Sequence, residues 1–413
     1  MTSDASQLAS AEPQRQRRRR HLARRFFDRV LPDFPVGNLR LTLPSGDTIS
    51  RGRAGDTLKA DIEIHRWRGL RRMLAGELGF TAGYLDGDWS TSDLASLLEL
   101  CIRNEDVLRQ RRSVAMLAHL GHKLAHLARA NTRRGSRRNI SAHYDLGNAF
   151  YSAWLDEGMN YSSGLYRRGN ETLEEAQEIK LARAIELLDV ANGEDVLEIG
   201  CGWGGLAEKL AKAGCPVTGI TLSKEQLDHA KDRLASHARA EMRLEDYREH
   251  IGVHDRIVSI EMLEAVGERY WPLYFRKLRD SLRDGGVAVL QAITIEEARF
   301  EDYRRYPDFI QQHIFPGGML PTVSIVTREA AKAGLRLVQQ ESFGPSYART
   351  LAEWRKRFVE AWPRLKPLGF DERFRRLWEY YLVYCETGFK TGSIDVSLFK
   401  LTADGNLNTD AAS

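Results

Sequence analysis

Residues 196–205 read Val196-Leu197-Glu198-Ile199-Gly200-Cys201-Gly202-Trp203-Gly204-Gly205. An apolar strand that ends on an acidic side chain and runs into glycines leaves bare backbone, against which a ligand can lie. A dinucleotide turn is spaced GxGxxG, whereas Gly200, Gly202 and Gly204 are spaced GxGxG and Trp203 is bulky where a pyrophosphate needs room. S-adenosylmethionine carries no phosphate and suits the turn better, with a purely structural glycine turn as the rival. At the end of the next strand a dinucleotide enzyme shows an acidic ribose ligand. This chain has Thr221-Leu222-Ser223-Lys224-Glu225-Gln226, in which Ser223 also serves as a helix cap. Asp246-Tyr247 falls in a loop that would flank the adenine ring. Glu264, in Glu261-Met262-Leu263-Glu264-Ala265-Val266-Gly267, follows a further strand, at the sheet edge where ligand-facing residues of an open α/β sheet belong. A helix-surface carboxylate is the alternative for Glu264.

These residues need a sheet to hold them. After residue 140 strands alternate with helices, at 195–199, 217–220, 256–260 and 286–291 for strands and 206–213, 224–234 and 271–282 for helices. This is the pattern of a doubly wound, mostly parallel sheet. Before it, Asn38-Leu39-Arg40-Leu41-Thr42-Leu43 and Ala60-Asp61-Ile62-Glu63-Ile64-His65 read as short antiparallel strands about a Pro44-Ser45-Gly46-Asp47 turn. Helices are expected at 67–78 and 93–101. The chain therefore divides into a disordered basic arm (1–25), a small α+β domain (26–105), a basic helical linker (106–139), an α/β domain (140–405) and a tail (406–413).

Composition limits the setting. The chain has 413 residues, 42% of them hydrophobic and 29% charged, enough for two domains. It has no run of about 18 apolar residues and no signal-peptide pattern, so a cytoplasmic protein that meets lipid only peripherally is expected. Cys101, Cys201, Cys215 and Cys385 lack CxxC spacing, which argues against a disulfide framework and a zinc site. Basic clusters at residues 15–25, beside Phe26 and Phe27, and at residues 109–138 point to an anionic surface such as the inner face of a membrane. Solvated tails are the plain alternative, and no recognition helix, zinc knuckle or RNP-like motif supports a nucleic-acid partner.

Together with Ser141-Ala142-His143-Tyr144-Asp145-Leu146-Gly147-Asn148, Met159-Asn160-Tyr161-Ser162-Ser163-Gly164-Leu165-Tyr166 and Ile314-Phe315-Pro316-Gly317-Gly318-Met319-Leu320-Pro321, the glycine turn resembles the cyclopropane-fatty-acid synthases and mycolic acid cyclopropane synthases. The likeness runs from about 140 to 402. It implies a class I methyltransferase fold, Rossmann-like and doubly wound, carrying a smaller N-terminal α+β domain. It implies cofactor contacts from Tyr161, Ser162, Glu198, Gly200, Cys201, Gly202, Trp203, Gly204, Gly205, Thr221, Ser223, Gln226, Asp246 and Tyr247. It further implies a bicarbonate ion near the sulfonium methyl, held through Cys201, Glu264, Gln291, Ile293 and Tyr347, and a homodimer. Gln291 departs from the family pattern, which has His there. An amide can bond an oxyanion but cannot carry positive charge or relay a proton. Cys385 matches a cysteine often assigned as catalytic, although alkene methylation has no step for a thiol, so a buried pocket-lining role fits it better.

The implied reaction is methylene transfer to the cis double bond of an unsaturated phospholipid acyl chain. An alkene is a poor nucleophile, so the site must be dry and must stabilise a carbocation. Aromatic faces contribute about 0.5–2 kcal/mol each to that stabilisation. Tyr144, Tyr161, Tyr166, Phe309, Phe315 and Tyr347 are the candidates, each with core packing as its alternative role. Ring closure then needs a base, for which bicarbonate oriented by Glu264 is expected. Proton loss without ring closure, giving a methyl-branched or methylene fatty acid, is the nearest rival. A nucleic-acid methyltransferase is the rival from another class.

Overall fold

The computed structural model describes residues 31–110, 146–191 and 193–403. The N-terminal arm, most of the basic linker, His143, Tyr144, Asp145 and the tail lie outside the described residues. The chain forms two compact units, Met1–Leu120 and Gly121–Ser413.

The first unit is built on a four-stranded sheet of order β2-β1-β3-β4, comprising β1 (Asn38–Thr42), β2 (Thr48–Gly52), β3 (Lys59–Ile64) and β4 (Trp89–Ser90). The expected antiparallel pairing of the 38–43 and 60–65 segments is incorrect: β1 and β3 run parallel, with Leu41 opposite Ile62. The antiparallel partner of β1 is β2, reached through the Pro44–Asp47 turn. Two reversals separate β1 from β3, so their directions agree. The expected helix at 67–78 is two helices, α1 (Trp67–Leu74) and α2 (Glu77–Leu85), because Gly76 at φ 96° breaks the path. Asp93 accepts from the Ala95 and Ser96 N–H groups to cap α3 (Leu94–Arg103), and α4 (Glu105–Gln110) follows.

The second unit carries a seven-stranded sheet of order β10-β11-β9-β8-β5-β6-β7. Its parallel part comprises β5 (Val196–Ile199), β6 (Val217–Thr221), β7 (Ala240–Leu244), β8 (His254–Ile260) and β9 (Leu282–Ile295). β11 (Ile394–Ala403) inserts antiparallel between β9 and β10 (Leu335–Ser342). All four residues of β5 are buried, as in a central strand covered on both faces. The connecting helices are α5 (Asn148–Tyr151), α6 (Leu173–Leu187), α7 (Gly205–Lys212), α8 (Lys224–Leu234), α9 (Leu263–Val266), α10 (Trp271–Asp280), α11 (Glu297–Arg305), α12 (Phe309–His313), α13 (Val323–Lys332), α14 (Gly344–Leu365) and α15 (Glu372–Thr391). One core layer joins Leu197, Ile199 and Ile257 of the sheet to Trp271, Phe275 and Leu278 of α10. The strand order reverses at β5, whose two neighbours β6 and β8 lie on opposite sides, so the carboxyl ends of β5, β6, β8 and β9 open onto one crevice.

Candidate functional site

The glycine turn closes β5 and opens α7. The Gly200 and Cys201 N–H groups both donate to the Ile220 carbonyl, at 2.9 and 3.1 Å, tying the turn to β6. Gly200 and Gly202 have φ of 83° and 53°, a region side chains disfavour. Contact also fixes Gly200, since a methyl group there would lie 2.4 Å from Met262 Sδ. At Gly202 a methyl group would meet nothing within 4 Å among the described residues. Trp203 turns its indole inward, donating from Nε1 to Asn148 Oδ1 at 2.7 Å and packing on Tyr151. Its contribution to the turn is backbone.

Beneath the turn lies an acidic cluster. Glu198 is buried, one of its carboxylate oxygens has no hydrogen-bond partner among the described residues, and loss of water pushes its pKa up to about 8 against the pull of Lys180. Lys180 of α6 is 1% exposed and donates to Ser162 Oγ at 2.8 Å. Burial pulls it down to about 8 in spite of Glu261, Asp156 and Glu198. The residue-type pattern of α6 shows why it is there. Leu173, Ala176, Gln177, Lys180, Leu181, Ala184 and Leu187 form one buried stripe, and Gln177 and Lys180 are its polar members, aimed at the Ser162 carbonyl and hydroxyl. Neither was singled out from sequence. A lysine in register with a leucine stripe was the available signal.

Glu264 lies in the first turn of the short helix after β8 and accepts the Ile293 N–H on one oxygen, while its other oxygen is buried with no partner among the described residues. Burial, then the neighbouring Glu261, pushes its pKa to about 8. Glu261, three residues earlier in the same motif, went unrecognised in sequence. It sits at φ 51° and is bonded from three sides: Ser163 N–H at 2.9 Å, Gln291 Nε2 at 2.7 Å and Tyr347 OH at 2.6 Å. Desolvation raises its pKa and these three donors lower it. Glu261, Glu264 and Ile293 are each partly buried.

The sheet and α14 thus bring Glu198, Cys201, Glu264, Gln291, Ile293 and Tyr347 to one end of the domain. Other expected contacts are satisfied locally. Thr221 donates to Gln226 Oε1 at 2.9 Å, and Ser223 caps α8 through the Gln226 N–H. The Asp246 carboxylate is held by the Arg248 guanidinium at 2.9 and 2.6 Å, and Tyr247 packs on Tyr274. Tyr161 shares a 2.9 Å hydrogen bond with Tyr381 and stands between Trp154 and Trp354. Tyr347 stacks on Phe389 with centroids 4.4 Å apart, and Phe315 lies 6.4 Å from Tyr381. Phe309 is core, packed on Tyr380, and Tyr166 lies under the Arg349 guanidinium. Burial pushes the Cys385 thiol far up, with Asp308 and Glu261 adding to the effect, so it stays protonated.

A turn open at Gly202 beside an unpartnered buried Glu198 oxygen fits S-adenosylmethionine, which brings cationic centres and ribose donors to an acceptor-rich pocket. Bicarbonate fits less well. Gln291 and Tyr347 already bond Glu261, Ile293 N–H bonds Glu264, and Cys201 N–H bonds Ile220. An anion would also sit beside the Glu261 carboxylate, which already takes those donors.

Comparison with known proteins identifies the family. A profile of the mycolic acid cyclopropane synthetase family matches residues 131–399. The chain is 38% identical over 93% of its length to the tuberculostearic acid methyltransferase UfaA1 of Mycobacterium tuberculosis, covering 91% of that protein. It is 32% identical over 82% of its length to the cyclopropane-fatty-acyl-phospholipid synthase of Escherichia coli, covering 86% of it. Among solved structures, mycolic acid cyclopropane synthase CmaA1 complexed with SAH and CTAB superposes with a TM-score of 0.60 at 30% identity, covering 64% of this chain and 97% of that one. The seven-stranded sheet is that of class I S-adenosylmethionine-dependent methyltransferases, and the chain belongs to the mycolic acid cyclopropane synthetase family.

Proposed function

We propose that the chain transfers a methyl group from S-adenosylmethionine to a double-bond carbon of an unsaturated phospholipid acyl chain. The carrying observation is the cluster of Glu198, Glu261 and Glu264 under a glycine turn, a site whose spare acceptor atoms call for a cation. The cofactor supplies the electrophilic methyl group when bound. The chain's part is to hold it against the Gly202 backbone, to keep water out and to face the developing carbocation with carboxylates and the rings of Tyr161, Tyr347 and Phe389. Incubation with methyl-labelled S-adenosylmethionine and unsaturated liposomes tests this reading. Label in the lipid fraction is expected, and its absence from lipid overturns the reading.

Ring closure to a cyclopropane is supported by the family match and by the Escherichia coli relative. Methyl transfer without ring closure, giving a methyl-branched or methylene product, is supported by UfaA1, which is named as a methyltransferase and matched over 93% of the chain. The two products are isomers, so the upfield ring-methylene proton signal or resistance to mild hydrogenation separates them. Among the described residues no helix is long and apolar enough to cross a membrane. Docking to the anionic inner face of a membrane through the basic segments supplies access to the acyl chains, at about 1 kcal/mol per Lys or Arg near the surface.

A further inference from the structure

Resting on the methyl-transfer reading above, the geometry points to Glu261 as the proton acceptor of the reaction, its carboxylate standing in the chain's own cradle where a bicarbonate ion would otherwise be held. Three observations carry this inference. First, Gln291 and Tyr347, two of the groups expected to hold the ion, both donate to the Glu261 carboxylate, at 2.7 and 2.6 Å. Second, the carboxylate has about four lone-pair directions. Among the described residues, Ser163 N–H and Gln291 Nε2 fill Oε1 and Tyr347 OH takes one on Oε2, which leaves one direction on Oε2 for a substrate proton. Third, Glu261 holds φ 51°, in the left-handed region that side chains disfavour. Such a conformation persists where the surroundings impose it.

Gln291 has a role in this arrangement that a histidine would fill differently. A neutral amide can aim a carboxylate without competing for its proton. Glu264 is the less well held of the two: it accepts one hydrogen bond, from the Ile293 N–H, whereas three donors aim the Glu261 carboxylate and, with Lys180, oppose the rise that burial causes in its pKa.

The step balances. A Glu261 oxygen takes a proton from the transferred methyl carbon, and the freed C–H electron pair bonds to the cationic carbon and closes the ring. For an alkene product the proton leaves the carbon next to the cation, and the pair forms the double bond. Neutral Glu261 then returns the proton to water.

The experiment compares wild type, Glu261→Gln and Glu261→Gly in CO2-purged buffer with and without added bicarbonate, reading lipid products and S-adenosylhomocysteine affinity. The left-handed backbone at 261 suits glycine, so the second variant removes the side chain without new strain. Wild type is expected to turn over equally in both buffers. Glu261→Gln is expected to lose on the order of 10²-fold or more of its ring or alkene product. It should bind S-adenosylhomocysteine within a few-fold of wild type and divert part of its turnover to a hydroxylated product. Glu261→Gly should be inactive without bicarbonate and regain activity with it. Wild-type turnover that collapses on purging and returns with bicarbonate overturns the proposal, as does Glu261→Gln at wild-type rate. Wild type that places no label in lipid overturns the methyl-transfer reading instead.

Discussion

Glu198 and Glu264 are both pushed from 4.5 to about 8 in the folded protein, chiefly by burial. The native state therefore holds protons that the unfolded chain releases. The associated stability is fully present below about pH 4.5 and is lost as pH rises through about 8. Lys180, lowered from 10.5 to about 8, has the opposite sign, its contribution being present above 10.5 and lost as pH falls through 8. The ligand-free protein should show a melting temperature that declines from pH 5 to pH 8, with a shallower decline in Glu264→Gln. A flat profile in thermal scans of the wild type would contradict the assignment. The glycines give a second test. Gly200→Ala drives a methyl group into Met262 and should destabilise by about 2–3 kcal/mol. Gly202→Ala carries only its backbone penalty of about 1–2 kcal/mol, yet should weaken S-adenosylhomocysteine binding at least tenfold by calorimetry. Gly200, Gly202, Glu198 and Glu264 could be singled out as candidates because spacing and position after a strand mark them. Glu261 was not, since one carboxylate in an acidic motif looks like another until the fold brings Ser163, Gln291 and Tyr347 around it.

Elements were legible where burial and local chemistry agree. β5 and β6 are short apolar runs ended by turn residues, and α8 begins and ends where its Ser223 cap and pattern place it. β7, β10 and β11 were missed. β7 and β10 are sheet edges, with polar residues such as Glu241, Arg243, Gln339 and Gln340 along them, and edge strands keep weak apolar patterning. β11 is interior, but Asp395, Ser397 and Lys400 interrupt it, each bonded to a neighbouring element. The parallel β1–β3 pair was invisible because pairing direction depends on the polar β2 between them in the chain. At this scale α6 offers a clean test, since Thr172 and Glu175 form a reciprocal capping box at its start. Thr172→Ala should cost about 1 kcal/mol in urea unfolding. It should also raise the KM for S-adenosylmethionine, because the same helix carries Lys180 and Gln177 to Ser162.

For the molecule as a whole, the proposed substrate lies inside a bilayer while the described residues contain no spanning helix. If basic segments carry the docking, flotation should recover the protein with anionic vesicles at low salt and lose most of it near 0.5 M salt, as expected for screening lengths below about 10 Å. Equal recovery with neutral vesicles would sink that idea. The placement of β11 bears on how the protein is made. This strand follows every other described strand in the chain, yet lies in the interior of the sheet, hydrogen-bonded along both sides by β9 and β10. A nascent polypeptide therefore cannot complete the sheet until residue 403 has cleared the ribosome. Until then β9 and β10 wait with bare edges, open to pairing with other chains. Messages truncated just before residue 394 should yield aggregates rather than a smaller working enzyme, and chaperone demand should fall late in synthesis, when the missing strand arrives.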